Sequence, residues 1–128
     1  MTYNVSHAQG EQLAQLRPAV TTPVTLFTAQ ELRVEVTLLI ICNHAGGAVQ
    51  VNVYHDDDGT TYDSSTMLVD RNVAQDDIET YFQAQHPGSG IHIKPGGSIG
   101  VQVASANDVT FTLYGVTETL AERVRGTT

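Results

Sequence analysis

At 128 residues the chain has the length of one domain, enough to bury a core and too little to divide into two packed halves. Six Lys and Arg against fourteen Asp and Glu leave a formal charge of -8, which repels a phosphate backbone or an anionic membrane surface and argues against direct nucleic-acid or membrane binding. Aromatics make up 6% and Trp is absent, so the core is expected to be filled by Val, Ile, Leu and Ala.

No stretch approaches the roughly 18 apolar residues of a spanning helix. The N-terminal MTYNVSHAQGEQLAQ has neither a basic start nor a hydrophobic run and does not read as a secretory signal. Residues 1–23 are expected to form an N-terminal arm. Ser6 and Gln9 suit the start of a short helix carrying Leu13 and Leu16, but Gly10 inside it weakens that alternative.

From Val24 the period becomes two. Val34, Val36, Leu38, Ile40 and Cys42 are expected on one, core-facing side of a long strand, with Arg33, Glu35, Thr37, Leu39 and Ile41 on the other. Asn43 to Gly47 then turns the chain into Val49, Val51 and Val53, and this pair reads as the clearest hairpin in the sequence. The acidic run from Asp56 to Gly59 ends that strand, and Thr60 to Val69 returns as one or two short strands. Residues 76–82 suit either a strand or a single helical turn. Ile91 and Ile93 lead into Pro95-Gly96, which suits a type II turn. Ile99, Val101 and Val103, and after Asn107-Asp108 also Val109, Phe111 and Leu113, alternate on the last strands. Residues 118–128 are expected to form a tail or a short helix.

These elements predict an all-β fold: a single antiparallel β-sandwich, jelly-roll-like, with seven or eight short strands spanning 24–117.

Chemistry-bearing constellations are sparse. Asp56, Asp58 and Asp63 are the best candidates for weak calcium ligation, but no glutamate closes the loop and strands flank it, so a self-bonded structural tip is expected. Five histidines lack the local spacings of metal ligands. A cupin-like centre would require His44, His55 and His92 to converge. Ser64, Ser65 and Cys42 sit in no nucleophile motif, and the glycines between 88 and 100 precede no helix that would cradle phosphate. No catalytic residue, metal or cofactor is therefore expected.

The segments LFTAQELRVEVTLLIICNHAGGAVQVNVYHDDDG and IHIKPGGSIGVQVASANDVTFTLYGVTE, with Pro95, Gly96, Ile99, Val101, Val109, Phe111, Leu113, Gly115 and Glu118 marking the closing pattern, resemble small β-sandwich virion proteins of tailed bacteriophages. The likeness covers about residues 24–118, and the stretch from Tyr81 to Ser89 departs from it as an insertion. It implies a non-enzymatic virion component that meets capsid, head-tail connector or tail proteins, assembling as a homo-oligomer, for instance a trimer. The alternative is a carbohydrate- or receptor-binding module of a tail or fibre, for which Tyr54, Tyr62, Tyr81 and Phe82 are the aromatic candidates. Leu39 and Ile41, placed on the outward side of their strand, are the expected interface together with Tyr81 and Phe82.

Overall fold

A computed structural model describes residues 10–86 and 88–118; the expected C-terminal tail or helix lies almost entirely outside them. Nine strands are present among the described residues: β1 (Glu11–Leu16), β2 (Val24–Thr28), β3 (Val34–Asn43), β4 (Val49–Asp56), β5 (Met67–Val73), β6 (Ile78–Tyr81), β7 (Ile91–Ile93), β8 (Ser98–Val103) and β9 (Val109–Thr117). They form two antiparallel sheets, the first in the order β1-β9-β3-β6 with β7 also on β3, the second in the order β2-β8-β4-β5.

The pairing is that of a long hairpin rolled up on itself. β1 lies on β9, β2 on β8, β3 on β6 and β7, and β4 on β5, while β3–β9 and β4–β8 close the two sheets. That is jelly-roll topology, with one of its eight positions split between β6 and β7. The core between the sheets is aliphatic apart from Phe111: Val36, Leu39, Ile41, Ile93, Ile99, Leu113 and six further valines are fully buried around it.

Several sequence expectations are corrected. The stretch expected as an arm contributes an edge strand, β1, so the sandwich starts earlier than Val24 and the strand count rises above eight. No helix forms around Leu13 and Leu16, which pack against the core from β1. β3 and β4 are not a hairpin, because they belong to different sheets and Asn43–Gly47 crosses between them. The ambiguous segment resolves as strand β6. The type II turn is present, with Gly97 N–H donating to Lys94 C=O at 2.9 Å and Gly96 at φ 91°.

The largest correction concerns β3. Against β9 its register runs Val34–Thr117 and Val36–Gly115, then resumes at Leu38–Tyr114 with a β-bulge between. An extra residue moves every later side chain to the opposite face. Leu39 and Ile41 therefore join Val34 and Val36 in the core at 0% exposure and cannot form an interface, whereas Leu38, Ile40 and Cys42 turn outward and are half-buried.

The bulge is built in from both sides. β1 also slips against β9, between Gln12 and Ala14, so Gly115 lies between two irregular neighbours. A Cβ there would stand 2.4 Å from Glu35 C=O and 2.7 Å from Leu13 Cδ1, a space that only glycine leaves free. On the other flank the partner of β3 is interrupted: β6 ends opposite Leu39 and β7 begins opposite Val36, with residues 82–86 and 88–90 in no strand. Ala84 N–H donates to Thr37 C=O at 2.9 Å, satisfying the bulged backbone, and Glu35 accepts from Gly88 N–H at 3.1 Å and Gly90 N–H at 2.8 Å. Ala84, Gly88 and Gly90 are thus the backbone complement of the bulge.

Candidate functional site

The outer face of the first sheet is the candidate docking surface. Leu38, Ile40 and Cys42 run down its central strand, β3. By register Leu38 is flanked by Tyr114, Ile40 by Thr112 and Thr80, and Cys42 by Thr110 and Ile78, the last 62% exposed on the edge strand. Completing the burial of a Leu or Ile side chain is worth up to about 1.5–3 kcal/mol relative to full exposure, and this stripe forgoes part of that in a lone subunit. The β1 side of the face is polar: Gln15 Nε2 donates to Thr112 Oγ1 at 3.0 Å, and Arg17 Nε to Thr110 Oγ1 at 3.3 Å.

At the end of the stripe Cys42 Sγ lies 3.2 Å from His44 Nε2. Beneath them Asn43 is fully buried and ties the sheet crossing together. Its Nδ2 stands 3.0 Å from Gly47 C=O, 3.0 Å from Val73 C=O and 3.1 Å from Ala74 C=O, and its Oδ1 accepts Ala45 N–H at 2.8 Å. Two amide hydrogens serve three carbonyls, so one is shared. The sequence marks Asn43 only as a turn residue; a polar residue closing an apolar strand was the signal for a buried hub.

Around Gly100 and Ser98 the outer face of the second sheet is covered by its own chain. The β4–β5 connection folds back so that Tyr62 lies over Gly100, where a Cβ would be 2.6 Å from its ring, and its hydroxyl bonds Thr25 Oγ1 at 2.7 Å and Ser98 Oγ at 2.8 Å. Tyr54 packs beside it with ring centroids 5.8 Å apart, and donates to Gln102 Oε1 at 2.6 Å. At 3% exposure Tyr54 presents no open ring face. Asn52 Nδ2 donates to Asp70 at 3.0 Å, and Gln50 bonds the same carboxylate.

The acidic run is the foot of this cover. Asp56 is buried and accepts Thr61 N–H at 2.6 Å and Asp58 N–H at 3.2 Å, bonds that hold its carboxyl below the usual carboxylate range, Thr61 contributing most. Asp63 is lowered in the same sense by the hydroxyl and N–H of Ser65. Asp57 faces Lys94 at 3.0 Å on the surface.

Tyr81 and Phe82 do not join the docking face. They are half-buried against the core where β5 and β6 meet at the sandwich edge, with ring centroids 6.2 Å apart. Glu79 closes that edge by accepting Arg71 Nε at 3.4 Å and the Tyr81 hydroxyl, and burial with this bond pushes the Tyr81 phenol up to about 12. The three histidines considered for a metal centre are dispersed: His44 follows the far end of β3, exposed His92 lies opposite Glu35 at its other end, and His55 sits on β4 in the second sheet. Among the described residues no three His, Cys, Asp or Glu side chains cluster as metal ligands. Comparison with family models, with curated proteins and with solved structures finds no match to this chain.

Proposed function

We propose that the chain is a non-enzymatic structural component of a bacteriophage virion, docking on a neighbouring capsid, connector or tail subunit through the outer face of its first sheet. The observation that carries the docking role is the stripe of Leu38, Ile40 and Cys42, apolar and turned outward from a strand whose other side is already fully buried. A sheet strand apolar on both faces is the pattern of a strand covered on both faces. The jelly roll supports the reading, since it is an architecture shared by capsid and lectin domains, and the residue pattern over 24–118 supplies the virion assignment.

The test is incorporation. Particles assembled with the wild-type chain should retain it through purification, and its position in a particle map distinguishes capsid decoration from a connector or tail ring. A chain carrying L38E and I40E should fold but fail to incorporate. Retention of that variant at the wild-type level would remove the docking face from the account, and absence of the wild-type chain from particles would remove the virion assignment.

A further inference from the structure

We propose that the open part of the second sheet's outer face binds a neutral glycan, a role that goes beyond docking through the first sheet and does not depend on it. Along β4, β5 and β8 the valines Val49, Val51, Val53, Val73, Val101 and Val103 point into the core, so the residues that alternate with them point out. By register Gln50 lies beside Asn72, and Asn52 lies between Asp70 and Gln102. Two strand residues rise about 7 Å and three strands span about 10 Å, the footprint of one or two sugar rings. Asp70 organises the patch. Its Oδ1 accepts Asn52 Nδ2–H at 3.0 Å and Gln50 Nε2–H, which fixes both amides with their nitrogens toward it. Gln102 is held from the other side, its Oε1 accepting the Tyr54 hydroxyl at 2.6 Å and its Nε2 donating to Thr21 C=O at 3.1 Å.

Among the described residues no hydrogen bond engages Asp70 Oδ2, Gln50 Oε1, Asn52 Oδ1 or the Asn72 amide. The patch therefore offers positioned acceptors with an amide donor beside them, and vicinal hydroxyls, each both donor and acceptor, match such a set. Tyr62 supplies the apolar half of the site. A Cβ on Gly100 would stand 2.6 Å from its Cδ1, Cε1 and Cζ alike, so the ring lies face-down on the strand and its other face points away from the sheet, half-buried, where the C–H side of a sugar can pack. Other ligands fit less well. A protein interface is apolar at its centre and polar at its rim, whereas here amides and a carboxylate form the centre and Leu68, 45% exposed, stands at the border. A cation would meet a single carboxylate, and a phosphate, sulfate or uronate would meet that carboxylate on a chain of net charge -8.

The test is a titration of the full chain, followed in nitrogen–proton correlation spectra, with maltohexaose, cellohexaose, mannohexaose and galactohexaose, each to about 20 mM, well above a millimolar Kd. At least one should shift the side-chain amide signals of Gln50, Asn52 and Asn72 and the backbone signal of Tyr62, saturably and together. Hexagalacturonate should shift none of them. Asp70→Ala should weaken the binding about tenfold or more, because it removes a charged acceptor and frees two amides. Glu31→Gln, which deletes a carboxylate from the exposed turn before β3, should leave the affinity unchanged. No saturable shift with any of the neutral oligosaccharides overturns the proposal. So do shifts confined to other surfaces, wild-type affinity in Asp70→Ala, or a preference for hexagalacturonate. A patch that no saccharide shifts but that is protected from solvent exchange in assembled particles belongs to a protein partner, and that result overturns it as well. The titration uses the native sequence and locates the site even where a variant fails to fold.

Discussion

The outer faces of the two sheets solve the same problem differently. The second sheet is covered in its middle by its own chain: the loop rooted at Asp56 lays Tyr62 across Gly100 and bonds it to Thr25 and Ser98. The first sheet has no such cover over Leu38, Ile40 and Cys42 among the described residues. An aromatic set over a strand glycine replaces the packing that the glycine lacks, and its hydroxyl pins the loop without leaving a polar atom unpaired. A stripe of branched residues offers no comparable polar anchor, and what covers it must itself be apolar.

The sharpest way to break this comparison is to substitute sequence neighbours that the bulge sends to opposite sides. Leu39→Ala should cost about 2–5 kcal/mol in urea denaturation, because it opens a cavity beside Phe111 and Leu113, whereas Leu38→Ala should cost less than about 1 kcal/mol in the monomer. Equal losses would mean that the bulge is misplaced. Asn43→Ala should follow at roughly 1–3 kcal/mol, since it strands buried carbonyls of Gly47, Val73 and Ala74. Gly115→Ala should cost a similar roughly 1–3 kcal/mol by overpacking against Glu35 and Leu13. Gly46→Ala, with open space around it, should change stability by no more than about 0.5 kcal/mol.

The sheets themselves were legible because alternation is strong where only one face is apolar. Val49, Val51 and Val53, Ile99, Val101 and Val103, and Val109, Phe111 and Leu113 all point inward as their period predicts. In Leu38-Leu39-Ile40-Ile41-Cys42 every residue is apolar, so the phase had to be extrapolated from Val34 and Val36, across a bulge set by Gly115 and the β6–β7 interruption far away in sequence. Short-range pattern carries no record of such a partner. β1 was hidden for a related reason: Glu11 to Leu16 is an edge strand with a register slip, and its polar outer positions mask the period. The placement of Asn43–Gly47 between sheets, not within one, likewise follows from the pairing of β3 with β9, which local turn chemistry does not encode.

A smaller effect sharpens the second sheet's side. Tyr62→Phe keeps the ring over Gly100 and deletes the bonds to Thr25 and Ser98, so it should cost about 1 kcal/mol in the same denaturation series. Tyr62→Ala should cost more, because it uncovers Gly100 as well.

The subtlest test is the pH dependence of the loop's foot. Thr61 N–H and Asp58 N–H donate to the Asp56 carboxylate and lower its pKa in the folded chain below the unfolded value of about 3.9. A group depressed on folding contributes stability that is fully present above its unfolded pKa and is lost as pH falls through the folded one. The stability advantage of wild type over Asp56→Asn should therefore hold constant from neutrality down to about pH 5 and shrink below about pH 4. Asp63, lowered by Ser65, titrates in the same direction, so the comparison is best made in an Asp63→Asn background that leaves Asp56 as the variable carboxylate of the loop. A melting-temperature difference that stays constant to pH 2 would show that the Asp56 charge does not hold the loop. Thr61 and Asp58 would then be positioned by Tyr62 packing alone, and the second sheet's cover would be apolar in origin.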